Sequence, residues 1–334
     1  MDYNKPIYAI LNPERLKKLC YRLGIKESDL EVNFSGWGKL VYLLKDKVIL
    51  FPRDPDYAKN LAIEGGVYEY FSKIDFGYAP KLIERIYDQS ISYYEFFMVE
   101  RASGVSFESI IEIDNTDQIV TFLKKVAAAI GDIHSLEIEN LPELVKSKNI
   151  LGDYPDFDEI LMGEILKTEG DEKIHKILKE AFDILGQKLD GIVDVVQKEI
   201  SKIRELGDVF LHYDLHSDQV FVDPETLEIT KIIDWAGARI GNPIYDFNFI
   251  QWDYEIFADW NRLTLLRNEF WGEYLRIKGL DERLTSSCDV FYKVLELGII
   301  LHGKQKEKFG FTGKGFRESV EMYVNYFTNF SNEL

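Results

Sequence analysis

The sequence predicts an α+β protein of two lobes, a smaller β-rich one at the N-terminus and a larger, mostly helical one after it. Three observations lead there. Short β-forming runs separated by turn residues cluster early, between Val32 and Phe51 and again between Tyr93 and Glu100. From Ile119 onward most apolar residues recur at helical spacing. A chain of 334 residues with 46% hydrophobic content is also long enough to bury two cores.

Taken in order, the segment from Pro13 through Leu23 is amphipathic and reads as a helix ahead of the sheet. Val32 to Leu44 reads as strand, Gly-containing turn and strand, and Lys45-Asp46-Lys47 turns into the next strand, Val48-Ile49-Leu50-Phe51. Asn60 to Phe71 is a helical pattern, weakened locally by Gly65-Gly66. Tyr93 to Glu100 is an apolar strand. Ile119 to His134 then carries Val120, Phe122, Leu123, Val126, Ala127, Ile130 and Ile133 as one stripe. Further helical patterns run from about Asp156 to Leu206 and from Asn248 onward.

Between those helical stretches lies the part richest in chemistry. Val209-Phe210-Leu211 and Val220-Phe221-Val222 are β-formers, Asp223-Pro224-Glu225-Thr226 is a turn signal, and Thr230-Lys231-Ile232-Ile233 restarts a strand. The last two strands make a hairpin. The loop from His212 to Gln219 enters its first strand and Asp234 follows its second, so Asp214 and Asp234 converge on one end. Two carboxylates so placed suit phosphoryl transfer, where one orients a hydroxyl and the other holds Mg²⁺.

His212-x-Asp214-x-x-x-x-Gln219, then Ile233-Asp234-Trp235, then Gly241-Asn242-Pro243-Ile244-Tyr245-Asp246-Phe247 resembles the signature of the aminoglycoside phosphotransferase-like kinases, which include macrolide and choline kinases. The resemblance implies a bilobal protein-kinase-like fold from about Val32 onward. It implies a nucleotide-binding lobe over 1–101 and a catalytic, acceptor-binding lobe over 102–334. By position Asp214 is the catalytic base, Asp234 chelates Mg²⁺ at the nucleotide phosphates, and His212 supports the loop. Gln219 stands where the family has a metal-binding Asn, with its amide oxygen about 1.5 Å farther from the backbone. Mg²⁺ demands tight octahedral geometry, so this is a departure. Asp218 next to it either supplies a carboxylate instead or is a turn residue.

The N-terminal lobe carries the nucleotide residues the resemblance implies. Ser35, Gly36 and Gly38 form a turn whose backbone N–H groups can approach phosphates, although a plain hairpin reads the same way. In Val48-Ile49-Leu50-Phe51-Pro52-Arg53 the family's phosphate-binding cation is replaced by Leu50. Side chains alternate along a strand, so Lys47 and Arg53 face away from that side. Lys39, on the adjoining strand, is the substitute, or else a solvated lysine. Glu64 resembles the glutamate that pairs with that cation, or is a surface helix residue. Arg101-Ala102-Ser103-Gly104 resembles the hinge between lobes, which assigns base recognition to the Glu100 carbonyl and the Ala102 N–H.

The formal charge of −18 argues against nucleic-acid and anionic-membrane partners, which need basic patches. It suits a cationic acceptor, and it equally keeps a surface soluble. Asp253, Glu255 and Asp259 lie among aromatics just after the last motif. They are candidate acceptor residues for ammonium groups, or the acidic face of an aromatic-cored helix. Cys20 and Cys288 make no disulfide framework, no Cys/His cluster has zinc spacing, and neither a signal peptide nor a membrane-spanning run is evident. The expectation is a soluble, cytoplasmic kinase using ATP or GTP with Mg²⁺ on a hydroxyl of an aminoglycoside- or macrolide-like small molecule. A primary-metabolite kinase, choline-like, is the second reading. A nucleotide-binding pseudokinase is the third, because Leu50 and Gln219 break the pattern.

Overall fold

The computed structural model describes residues 11–33, 38–148, 157–167, 169–247, 260–302 and 315–333. Its contacts divide the chain into two compact units. One comprises Met1–Ile110, Glu137–Ser147 and His212–Arg239, and the other Ile111–Leu136, Lys148–Leu211 and Ile240–Leu334.

The first unit is built on a five-stranded antiparallel sheet of order β1-β2-β3-β5-β4, formed by β1 (Glu31–Asn33), β2 (Lys39–Leu43), β3 (Lys47–Pro52), β4 (Leu82–Ile86) and β5 (Phe96–Glu100). Successive side chains alternate between faces, so the pairing register decides what each face buries. Lys39 lies opposite Pro52, Val41 opposite Leu50, and Leu50 opposite Phe97. Leu40, Tyr42, Ile49, Phe51, Phe96 and Met98 therefore share one face and join a buried cluster with Leu19 of helix α1 (Pro13–Leu23). Phe51 stacks on Phe96 with ring centroids 4.3 Å apart. Helix α1 starts where Asn12 accepts from the Arg15 N–H at 2.9 Å, and it ends at Gly24, whose φ of 65° suits a residue without Cβ.

The opposite face carries Lys39, Val41, Leu50 and Phe97 toward helix α2 (Tyr57–Ile74). The glycines that lower helix propensity in α2 have a packing purpose. A Cβ on Gly65 would sit 3.2 Å from the Phe97 ring, so glycine lets the helix approach the sheet, and Tyr68 meets the same ring edge-on. This approach brings Glu64, one residue earlier, to the sheet surface at 0% exposure.

A smaller sheet of order β6-β8-β9 completes this unit, from β6 (Val105–Ser106), β8 (Val220–Val222) and β9 (Ile229–Ile232); β7 (Val209–Leu211) precedes β8 in the chain and is not part of this sheet. The hairpin read from the sequence is present, with Val220 opposite Ile232. Its turn is set by Asp223, whose Oδ1 accepts from the N–H groups of Glu225 and Thr226 at 3.0 and 2.9 Å. Gly104 leads into β6 with φ 84°, and a Cβ there would stand 2.2 Å from the Val222 carbonyl oxygen, so only glycine fits.

The second unit is helical: α3 (Thr116–Ile133), α5 (Phe157–Leu166), α6 (Gly170–Leu185), α7 (Ile192–Arg204), α8 (Trp260–Lys278), α9 (Leu284–His302) and α10 (Phe316–Glu333); the short α4 (Glu143–Lys146) belongs with the first unit. Helix α9 is buried over nearly its whole described length, and its Glu296 Oε1 pairs with Nη1 of Arg267 from α8 at 2.5 Å. His134 caps α3, with Nδ1 2.9 Å from the Tyr274 hydroxyl and Nε2 2.9 Å from Asp246 Oδ2. Asp246 is the last acid of the third motif, so its work here is to hold helices together. Among the described residues no helix is long and apolar enough to cross a membrane.

Candidate active site

Lys39, Glu64 and Asp234 meet. Lys39 Nζ donates to both Glu64 oxygens, at 3.0 and 2.9 Å, and to Asp234 Oδ1 at 2.7 Å. The register explains why Lys39 reaches this point from β2. It lies on the same face as Leu50, one strand over and two residues along, so its ammonium enters the space that a side chain at position 50 would enter from β3. Lys39 is 7% exposed. Burial opposes its charge, but Asp234 and Glu64 outweigh that and hold the ammonium well above the lysine range. Burial, with Asp234 adding to it, pushes the Glu64 carboxyl up to about 7 against the pull of Lys39.

Asp234 is positioned by the hairpin and by Trp235. Its own backbone is left-handed, φ 67°, which turns the carboxylate out of the strand. Trp235 is fully buried, meets Phe71 of α2 edge-on at 4.7 Å and lies 4.5 Å from the His212 ring. The Ile232 N–H donates to the Tyr78 carbonyl at 2.6 Å, tying β9 to the end of α2. His212 Nε2 is 2.9 Å from the Ile233 carbonyl, so it donates there and links the loop bearing Asp214 to the Asp234 loop. These contacts fix the loop bearing Asp214 against the loop bearing Asp234.

Asp214 lies at the open side of this assembly, with Oδ1 3.3 Å from His216 Nε2. Burial works to raise its carboxyl. The hydrogen bond from His216 and the charges of His216, His212 and Arg239 outweigh it and leave the carboxyl below its ordinary value. Gly237 packs behind it, where a Cβ would come 2.9 Å from Asp214 Cβ. Tyr213, between His212 and Asp214, holds φ 73°, and the Arg239 guanidinium lies 3.4 Å over its ring. A left-handed non-glycine residue costs about 1 kcal/mol or more, and the cation–π contact offsets part of it.

Gln219 is 8% exposed, and its Oε1 accepts from the His216 N–H at 3.2 Å, leaving one lone pair of the amide oxygen. Burial raises the neighbouring Asp218 carboxyl, and the charges of Asp234 and Asp214 add to the shift. Among the described residues no group of three or more His, Cys, Asp or Glu side chains is arranged to hold a metal ion. The oxygens present, from one or two carboxylates and an amide, fit a cation that completes its shell with water and phosphate oxygens, as Mg²⁺ does.

Gly38 adjoins Lys39, and Glu100 and Ala102 lie at the end of β5 and just past it, where the Arg101 N–H donates to the Asp46 carbonyl at 3.0 Å. Ser35, Gly36, Asp253, Glu255 and Asp259 lie outside the described residues. Sequence reasoning passed over His216, although a titratable side chain two residues from Asp214 was a usable signal. It also passed over the Arg239 stack and Tyr57, which only tertiary structure brings to the site.

The phosphotransferase enzyme family model matches residues 29–280. The chain belongs to the phosphotransferase enzyme family. No curated protein matches the sequence. Among similar solved structures, the GDP complex of wild-type aminoglycoside 2'-phosphotransferase-IIIa is 14% identical with a TM-score of 0.54, covering 94% of this chain and 99% of that one. A macrolide 2'-phosphotransferase from Brachybacterium faecium is 16% identical with a TM-score of 0.50, covering 93% and 98%. An aminoglycoside phosphotransferase from Streptomyces rimosus in complex with ADP and streptomycin is 12% identical with a TM-score of 0.51, covering 84% and 99%. Likeness at such identities establishes the fold, the bilobal kinase-like α+β class expected from the motifs. The family match makes the protein a phosphotransferase, as the two aspartates implied.

Proposed function

We propose that this phosphotransferase moves the terminal phosphoryl group of ATP or GTP, as the Mg²⁺ complex, to a hydroxyl of an aminoglycoside- or macrolide-like small molecule. The observation that carries the reading is the meeting of Lys39, Glu64 and Asp234, with the loop bearing Asp214 tied to the Asp234 loop through His212. In this reading Lys39 binds nucleotide phosphate oxygens and Glu64 holds it in place, doing from β2 what Leu50 cannot do from β3. The Gly-containing turn at Gly36 and Gly38, with Ser35, covers the phosphates. The Glu100 carbonyl and Ala102 N–H read the base.

Asp214, kept ionised by its surroundings, accepts the proton of the acceptor hydroxyl as that oxygen bonds to the γ-phosphorus. The bond from phosphorus to the bridging oxygen breaks, and the nucleoside diphosphate leaves with that electron pair. His212 and His216 position the loop and carboxylate that do this. Asp234 and Gln219 are the residues that would hold Mg²⁺, which supplies charge neutralisation at the phosphates. The nucleotides in solved relatives include both GDP and ADP, which supports nucleotide use without choosing the base. A cationic acceptor, met by Asp253, Glu255 and Asp259, accords with the net charge of −18.

The test is transfer from ATP and from GTP, with and without Mg²⁺, to a panel of aminoglycosides, macrolides and amino alcohols, read by mass and phosphorus NMR. A metal-dependent phosphate ester on an aminoglycoside or macrolide hydroxyl supports the reading. An ester only on an amino alcohol, or transfer that needs no metal, contradicts it.

A further inference from the structure

The first residue of α2, Tyr57, has no part in the three sequence motifs, yet its ring lies against Gly38. A Cβ added to Gly38 would come within 1.9 to 2.2 Å of three Tyr57 ring carbons, so glycine at 38 is what lets the ring lie there. The ring is held from the helix side as well. The Tyr57 N–H donates to Asp54 Oδ1 at 2.8 Å, fixing the start of α2, and the Gly38 carbonyl accepts from the Arg53 N–H at 2.8 Å, fixing the turn. Gly38 directly precedes Lys39, whose ammonium is bound by Glu64 and Asp234.

Seated on Gly38 beside Lys39, the phenol feels the charges of Asp234, Lys39, Glu64 and Asp214. Burial and the carboxylates among them drive its ionisation far above the usual tyrosine range, so it remains a neutral O–H donor. Among the described residues its hydroxyl has no hydrogen-bond partner. Two carboxylates, Glu64 and Asp234, already hold the one ammonium here, which leaves few donors for a polyanion. A phenol adds a donor without adding charge that those carboxylates would neutralise.

We propose that Tyr57 is a phosphate-binding residue, seated on Gly38 so that its hydroxyl donates to the terminal phosphates of a nucleoside triphosphate beside Lys39. This rests on the nucleotide-dependent function proposed above. Tyr57→Phe keeps the ring on Gly38 and removes only the donor. The experiment compares wild type and Tyr57→Phe, matched in thermal melting, for equilibrium binding of a non-hydrolysable triphosphate and of the bare nucleoside, for adenine and guanine separately. The expected result is about a tenfold loss of triphosphate affinity, the order for one hydrogen bond to a charged group, with nucleoside affinity unchanged. Equal triphosphate affinity, or an equal loss for the bare nucleoside, overturns the role of Tyr57 while leaving the kinase reading standing. Wild type that binds neither nucleotide overturns that reading and this assignment with it.

Discussion

Replacing Lys39 with Met removes the cation that touches both Glu64 and Asp234 and leaves Glu64 at 0% exposure without that partner. Loss of one member of a buried pair costs about 3–5 kcal/mol when the other must stay charged. Glu64 has an escape, because its carboxyl already lies at about 7 and loss of Lys39 pushes it higher. Below that pH, wild type and variant both fold with Glu64 largely protonated, and their stabilities fall in parallel as pH rises. Above it, wild type levels off with Glu64 ionised against Lys39. The variant keeps losing about 1.4 kcal/mol per pH unit, because it must fold with a neutral carboxyl that is ionised when unfolded. The gap between them therefore widens by about 2 kcal/mol from about pH 7 to about pH 8.5. Urea denaturation at three pH values measures it. Calorimetry on the same samples should show triphosphate affinity falling about tenfold or more, and Leu50→Lys in that background should restore part of it from the same sheet face. A constant stability gap across pH, with unchanged triphosphate affinity, would refute the pairing.

Three further outcomes follow from the same geometry. Gln219→Asn should preserve or raise turnover, whereas Gln219→Ala should lower it and raise the Mg²⁺ concentration for half-maximal rate; an unchanged Mg²⁺ dependence in both removes Gln219 as a ligand. Glu64→Gln should flatten the pH dependence of stability between about 4.5 and 7. In that window the folded wild type binds the extra proton, so its stability falls by roughly 3 kcal/mol as pH rises, and a slope retained in the variant would assign it elsewhere. Gly104→Ala should destabilise by about 2 kcal/mol or more in the same denaturation assay, since φ is 84° and the Val222 carbonyl oxygen stands where the methyl would go; a change under about 0.5 kcal/mol would contradict the close approach.

The β8–β9 hairpin was legible because its strands are short runs of β-formers around an Asp-Pro turn, and it carries the loops of Asp214 and Asp234 toward one end. For Lys39 the sequence left two readings open, a substitute cation or a solvated lysine, and only the pairing register puts positions 39 and 50 on one face. Strand β4 was not legible. Leu82-Ile83-Glu84-Arg85-Ile86 breaks alternation through an irregularity between Leu82 and Glu84, and its charges serve tertiary pairs such as Arg85 with Glu95 at 2.6 Å. Strand β6 is only two residues long. The run from Tyr93 reads as strand from its aromatics, but pairing starts at Phe96. Tyr93 instead stays 72% exposed beneath the Arg15 guanidinium, 4.0 Å from its ring centroid. Gly65-Gly66 reads as a weakness in a helix, and its purpose shows only once Phe97 lies against it. His216, Tyr57 and the Arg239 stack depend on loop conformations, φ 73° at Tyr213 among them, that no local pattern encodes.

The measurement that bears most directly on the central claim is nucleotide-dependent phosphate transfer to a hydroxyl acceptor by wild type and by Asp214→Asn, with triphosphate affinity measured on both. In the proposed mechanism Asp214 acts on the acceptor and not on the phosphates, so the expected result is transfer by wild type, transfer abolished in Asp214→Asn, and triphosphate affinity within about twofold between them. Equal turnover in the two proteins would contradict the account.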